Sequence, residues 1–290
     1  MGKGRIGVFG GSGLYKINEL TDVNELEINT PYGKTSDQLI LGKLSGVEVV
    51  FLARHGRSHN LTPTEVPYQA NIWAMKSLGV KWILSASAVG SLKEEIRPLD
   101  IVIPDQFIDK TKNRPSTFFG NGVVAHVSMA EPFCKTLSEL VCKVAEPLMQ
   151  DQRKLHKCGT YLCMEGPAFS TKAESFFYKS LGCSIIGMTN HTEARLAKEA
   201  EIAYATIAMS TDYDCWHEDH ESVTVDMIIQ NLQTNAFLAE KIICEAVKEI
   251  GKTEPLSNSH DALKDAIITP KEKIPKEILS KIDLLTKKYW

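Results

Sequence analysis

The residues able to do chemistry fall in a few short segments, and the most informative is Thr211-Asp212-Tyr213-Asp214-Cys215-Trp216. It follows a run of β-branched and small residues, Ile202 to Ser210, that reads as a strand. If the strand period of two persists, Asp212 and Asp214 point the same way. Two close carboxylates raise one another's proton affinity, so one can stay protonated near neutral pH. A protonated Asp donates to a ring nitrogen while its neighbour accepts from an exocyclic amine, the combination that an adenine edge offers. An acidic strand-end loop or a cation site is the alternative.

Three further segments suit an anion. Gly10-Gly11-Ser12-Gly13 offers backbone N–H groups at close approach and a hydroxyl. No Gly-Lys-Ser/Thr follows, so it is not a P-loop, and the glycine spacing is not that of a dinucleotide-binding turn. Arg54-His55-Gly56-Arg57-Ser58-His59 follows the apolar run ending at Leu52. An arginine there can hold phosphate with a two-pronged pair of hydrogen bonds. No carboxylate or thiolate stands in the segment to complete a metal site around His55 and His59. Ser85-Ala86-Ser87-Ala88-Val89-Gly90-Ser91 places small hydroxyl residues at a strand end. A tight turn, a solvated basic turn and close helix–sheet packing are the respective alternatives.

These segments need strand ends to hold them, and strand and helix patterns do alternate. Arg5–Gly10, Val47–Leu52, Trp82–Leu84, Ile101–Ile103, Tyr161–Met164, Ser184–Met188 and Ile202–Ser210 read as strands. Tyr68–Leu78 has helical spacing and stops at Gly79. Glu131–Gln150 and Val223–Ile250 also read as helices. Thr171-Lys172-Ala173-Glu174 and Asn190-His191-Thr192-Glu193 have the form of capping boxes. Repeated strand–helix units predict an α/β domain with a mostly parallel sheet, whose ligands sit at the carboxyl ends of the strands. The reading divides the chain into a domain at 1–255 and a C-terminal appendage at 256–290, packed on the domain or on a neighbouring subunit.

Composition narrows the class. With 290 residues, 43% of them hydrophobic, the chain can bury a large core. A net charge of −3 gives no reason to expect nucleic-acid or anionic-membrane binding. No apolar run approaches the ~20 residues that cross a bilayer. The start carries no signal-peptide pattern. Seven cysteines without a C-x-x-C pair argue against a disulfide framework or zinc knuckle and for reduced thiols in the cytoplasm. His217-Glu218-Asp219-His220-Glu221 reads as a solvated polar loop rather than a metal site.

Taken together and in order, the segments above resemble a known family. Pro31-Tyr32-Gly33-Lys34, Tyr68 to Ala74, Asp105-Gln106-Phe107-Ile108-Asp109, Met129-Ala130-Glu131-Pro132-Phe133 and Glu165-Gly166-Pro167-Ala168-Phe169-Ser170 belong to the same pattern. The chain is similar, from Ile6 to about Ile250, to the trimeric purine nucleoside phosphorylases, and among them to those acting on 5′-methylthioadenosine. The resemblance implies a single domain around a mixed sheet partly closed into a barrel and flanked by helices. It implies phosphorolysis of 5′-methylthioadenosine to adenine and 5-methylthioribose 1-phosphate in methionine and purine salvage, by a cytoplasmic homotrimer. No cofactor or metal is implied; inorganic phosphate is a co-substrate.

By position, the resemblance gives Ser12, Arg54, His55, Ser87 and the Ala88 backbone to phosphate. It puts Met188 and Thr189 at the ribose and Phe169 on the purine. Asp212 faces N7 as general acid and Asp214 the 6-amino group. Val225 and Ile228 line an apolar pocket for the 5′-methylthio group, and His126 reaches a neighbouring subunit's site. Ser87, Val89, Ala168 and Asn190-His191-Thr192 depart from the family pattern. The acidic pair disfavours a phosphorylase of 6-oxopurine nucleosides, because an ionised carboxylate repels a 6-oxo group. A dinucleotide-dependent oxidoreductase fails on glycine spacing and on the missing acid after a second strand. A non-catalytic nucleoside-binding protein is the remaining alternative.

Overall fold

The computed structural model describes residues 4–217 and 225–290, the side chains of 225–229 excepted. Its strands in chain order are β1 Arg5–Gly10, β2 Thr21–Leu26, β3 Leu39–Leu44, β4 Val47–Ala53, β5 Val80–Ser91, β6 Ile101–Val102, β7 Gln106–Lys110, β8 Leu155–His156, β9 Thr160–Met164, β10 Ile185–Gly187 and β11 Ala203–Asp212. The helices are α1 Tyr68–Ser77, α2 Lys135–Ala145, α3 Lys172–Ser180, α4 Asn190–Glu199, α5 Val225–Thr253 and α6 Lys276–Thr286.

The strands form one mixed sheet that branches at β5. This long strand pairs in parallel with β1 and β11 and, through Gly90 and Ser91, antiparallel with β10. From β5 one path runs through β10 to β9, and the other through β11 to β6. The two paths meet, because β6 and β7, consecutive pieces of one segment, run parallel to β8 and β9, consecutive pieces of another. The result is the barrel-like closure that the resemblance implied. Its interior is filled by Val89, Val102, Tyr161, Cys163, Ile185 and Ala208.

Strand alternation explains how the helices cover this sheet. Ile6, Val8, Val49, Phe51, Trp82 and Leu84 point to one face, where they pack with Leu238, Ile242 and Ile243 of α5 and Val141 of α2. Phe9, Val50, Leu52 and Ile83 point to the other, against Ile72 and Met75 of α1 and Leu196 of α4. Both faces are buried, so the strands read as nearly continuous apolar runs. Residues from the C-terminal segment, Leu263, Ile278, Ile282 and Leu285, lie in the same apolar cluster as α1 and α4.

Two expected elements differ. Glu131–Gln150 is not one helix: Cys134 is the N-cap of α2, and a 3-10 turn with Pro147 begins after Ala145. The proline ring cannot continue regular α-helical bonding in the helix interior. The second capping box is absent. Thr189 occupies the N-cap of α4 without a side-chain bond, and Asn190 already lies inside the helix. Asn190 Nδ2 instead donates to Thr206 Oγ1 at 2.8 Å, and Glu193 is drawn to an arginine. By contrast, Thr171 and Glu174 do form the reciprocal box that opens α3. The antiparallel strands β2 and β3, whose alternation is weak, were not apparent from the pattern.

Candidate functional site

A cavity of about 450 Å³ opens beside the ends of β1, β4, β5, β10 and β11. It gathers residues from segments far apart in the chain: Ser12, Arg54, His55, Ser87, Ala88, Phe169, Met188, Thr189, Asp212 and Asp214. The geometry has two chemically different ends.

At the first end, β1 finishes in a turn closed by Leu14 N–H donating to Gly11 O at 3.0 Å, with Gly13 at a positive φ of 85°. Gly11 must lack a side chain. A Cβ there would stand 2.3 Å from Ala86 O and 2.7 Å from Arg54 Nη1. Neighbouring β4 is apolar and buried from Val49 to Ala53, so it carries Arg54 into the interior, where the residue is 1% exposed. A guanidinium so buried needs partners. Its Nε and Nη2 donate to the two carboxylate oxygens of Glu193, Nη2 also donates to Ser85 Oγ, and Nη1 donates to Ala86 O at 3.0 Å. Burial opposes the charge, but the Glu193 carboxylate and its hydrogen bonds outweigh it and raise the guanidinium's proton affinity.

This corrects one expectation. The two-pronged pair of Arg54 is directed at Glu193, not at the cavity. Of five guanidinium N–H groups, one on Nη1 is left beside the glycine turn. Glu193 also accepts from Tyr204 Oη at 2.6 Å and Ser85 Oγ at 3.0 Å, and all four side chains are buried. The signal for Glu193 was present but ambiguous: an arginine straight after the buried apolar run Val49–Ala53 demands a carboxylate, and nothing local says which one.

His55 and Ser87 complete this end. His55 Nδ1 is 2.8 Å from Leu61 O and its ring stacks on His59 at 4.7 Å. Burial first, then the charge of Arg54, pushes its pKa down to about 4, so the ring is neutral at neutral pH. Ser87 Oγ lies 3.1 Å from the hydroxyl of Tyr161, a buried side chain of β9. Residues 59–63 line the cavity here as well, together with Leu232 of α5. The sequence pattern singled out none of them except His59.

The second end holds the acidic pair. Strand alternation does not align it, since β11 ends at Asp212 and Asp214 has a positive φ of 50°. Instead a turn brings the two together, with Asp214 N–H donating to Asp212 Oδ1 at 2.8 Å. Thr211 Oγ1 donates to Asp212 Oδ2 at 2.6 Å, and Ser175 Oγ of α3 donates to Asp214 Oδ2. Gly90 leaves room for the pair, because a Cβ on it would stand 3.0 Å from Asp212 Oδ1. Both carboxyls have raised pKa values, and burial is the chief cause for each. The charge of Asp214 contributes to the rise at Asp212 only after desolvation and two opposing hydrogen bonds. Mutual repulsion, the cause expected from spacing, is therefore the smaller effect.

Between the ends, Met188 and Thr189 join β10 to α4 and line the cavity. A buried arginine braces this wall: Arg114 donates to the carbonyl oxygens of Met188 and Glu165 and to Tyr68 Oη. Phe169 stands at the rim, 60% exposed. His126 does not line this cavity; it is exposed, on the segment bridged to Ile267. The side chains of Val225 and Ile228 lie outside the described residues, as do Glu218, Asp219, His220 and Glu221 of the polar loop.

Comparison with known proteins agrees with this architecture. The profile of the phosphorylase superfamily matches residues 5–248. An S-methyl-5′-thioadenosine phosphorylase of Prochlorococcus marinus is 60% identical over 286 residues, covering 99% of this chain and 91% of that protein. A crystal structure of a methylthioadenosine phosphorylase from an antarctic soil metagenomic library superposes with a TM-score of 0.92 at 50% identity, covering 97% of this chain and 98% of that one. The methylthioadenosine phosphorylase of Schistosoma mansoni in complex with adenine gives a TM-score of 0.83 at 38% identity, over 86% and 92% of the two chains. The chain therefore belongs to the phosphorylase superfamily, in its methylthioadenosine phosphorylase branch. Among the described residues no helix is long and apolar enough to cross a membrane.

Proposed function

We propose that the protein cleaves 5′-methylthioadenosine with inorganic phosphate, releasing adenine and 5-methylthioribose 1-phosphate for methionine and purine salvage. The observation that carries this reading is a single cavity with an anion-suited end and a proton-rich carboxyl end. In this reading the sugar of a bound nucleoside lies between the two ends, with phosphate below it and the purine edge beyond it.

In this reading phosphate takes hydrogen bonds from Ser12, Ser87, the Ala88 backbone and the remaining Nη1 N–H of Arg54, beside neutral His55. Met188 and Thr189 hold the ribose, and Phe169 closes from the rim over the purine. Adenine is a poor leaving group as an anion. Asp212, whose proton affinity is raised chiefly by desolvation, donates in its protonated form to N7 as the bond to C1′ lengthens, while Asp214 accepts from the 6-amino group. Charge developing on the sugar is stabilised by the phosphate that then bonds to C1′. Val225 and Ile228 supply an apolar pocket for the 5′ substituent, where one methylthio group gains roughly 1–3 kcal/mol. A homotrimer, in which His126 reaches a neighbour's cavity, completes the reading.

The test is adenine release from 5′-methylthioadenosine with and without phosphate. Release that depends on phosphate and yields a sugar 1-phosphate is expected. Release independent of phosphate, or none, overturns the reading.

A further inference from the structure

Among the described residues that line the cavity, Arg54 is the one cation at the anion-suited end, yet its guanidinium is locked against a carboxylate. The two side chains are 2% and 3% exposed. Glu193 receives both Nε and Nη2 of Arg54, and its second oxygen is fixed by Tyr204 and Ser85. Tyr204 is fixed in turn by Asn190 Nδ2 at 3.2 Å. The Nη1 N–H beside Gly11 is therefore aimed, while the charge behind it is cancelled a few ångströms away.

We propose that Glu193 is a positioning residue that sets the net charge of the phosphate site to zero, so that the site holds phosphate by directed hydrogen bonds rather than by an uncompensated cation. This rests on the reading of Ser12, Arg54 and Ser87 as the phosphate site. The physical reason lies in the reaction. Phosphate enters as an anion and leaves as a phosphate monoester that is also an anion. In a buried site of low effective dielectric, an unpaired guanidinium would grip both strongly. It would hold electron density on the oxygen that must attack, and it would slow release of the product. A cancelled charge keeps the aim of the donor without that grip.

The test is a charge series: wild type, Glu193→Gln, Arg54→Gln, and the double variant carrying both. Their formal charges at the pair are 0, +1, −1 and 0. The readouts are KM for phosphate, KM for 5′-methylthioadenosine and kcat. Glu193→Gln is expected to lower the phosphate KM about tenfold and to lower kcat with it. Arg54→Gln is expected to raise the phosphate KM at least about tenfold. The double variant should recover part of that loss, because it restores neutrality but not the Nη1 donor. KM for the nucleoside should stay within about threefold of wild type in Glu193→Gln, because the pair lies at the other end of the cavity from the acidic pair.

The double variant leaves no unpaired buried charge, so it guards against failure of a single variant to fold. A double variant no better than Arg54→Gln in phosphate KM would overturn the proposal. So would a Glu193→Gln enzyme whose phosphate KM is unchanged or raised. Absence of any phosphate dependence in wild type would instead overturn the functional reading itself.

Discussion

The two ends of the cavity take opposite routes out of the same difficulty. At the glycine turn, a buried cation keeps its charge because a carboxylate, a carbonyl and a hydroxyl take its donors. At the aspartate end, two half-buried carboxyls have hydrogen-bond donors but, among the described residues, no cation as a hydrogen-bond partner, and both are driven toward the protonated form. Desolvation of an ionisable group thus leaves a fixed charge or a raised proton affinity according to what faces it. A reaction that needs a tethered anion at one point and a transferable proton at another uses one of each.

Breaking the proton-rich end should have the largest effect. Asp212→Asn keeps the volume and can still accept from Asp214 N–H, but it removes the acid. Turnover of adenine nucleosides should fall by ~10²–10⁴-fold, while 6-oxopurine nucleosides gain relative to them, because an amide can pair with a 6-oxo ring. A substrate panel checks this, and unchanged adenine-nucleoside turnover would remove Asp212 from its assigned role.

Breaking the fixed-charge end should cost both stability and phosphate binding. Arg54→Ala leaves Glu193 buried without its cation, a loss of about 3–5 kcal/mol, with a raised phosphate KM in whatever folded enzyme remains. Chemical denaturation and phosphate titration separate the two effects. Tyr204→Phe removes one donor to Glu193 and is expected to cost about 1–3 kcal/mol, since it leaves a buried acceptor short of a partner.

The pH dependence sharpens the contrast. Protonated Asp212 is the working form, so kcat should decline as pH rises through its raised pKa, and Asp212→Asn should lack that limb. The linkage to stability has the same sign. The folded pKa lies above the unfolded one, so the contribution of Asp212 is full below the ordinary carboxylate value and is lost as pH rises through the folded value. His55, with its pKa pushed down to about 4, should add no limb near neutrality. The smallest effect is expected from Ser175→Ala. Loss of its bond to Asp214 should raise that carboxyl's proton affinity further and weaken discrimination for a 6-amino purine by severalfold, read as a ratio of kcat/KM values.

The segments that meet in the cavity were legible in the chain because each carries its own local signature. The glycine turn, the arginine after an apolar strand, the small-residue strand end and the paired acids are all readable within six or seven residues. So was the capping box at Thr171, whose two partners are three residues apart. Where two local readings competed, the chain alone could not choose. Asn190 and Glu193 have the same spacing as that box, yet one bonds across to β11 and the other to the end of β4.

By itself, then, the sequence determined an alternating α/β chain, the buried character of its strands, and the small set of side chains able to bind an anion and hold a proton, because period and residue type are local properties. Tertiary structure alone decided that Arg54 spends its paired donors on Glu193, that a turn rather than strand alternation joins Asp212 to Asp214, and that desolvation more than mutual repulsion raises their proton affinity. Those outcomes depend on which groups from distant segments are excluded from water together, and partners 139 residues apart in the chain leave no periodic trace.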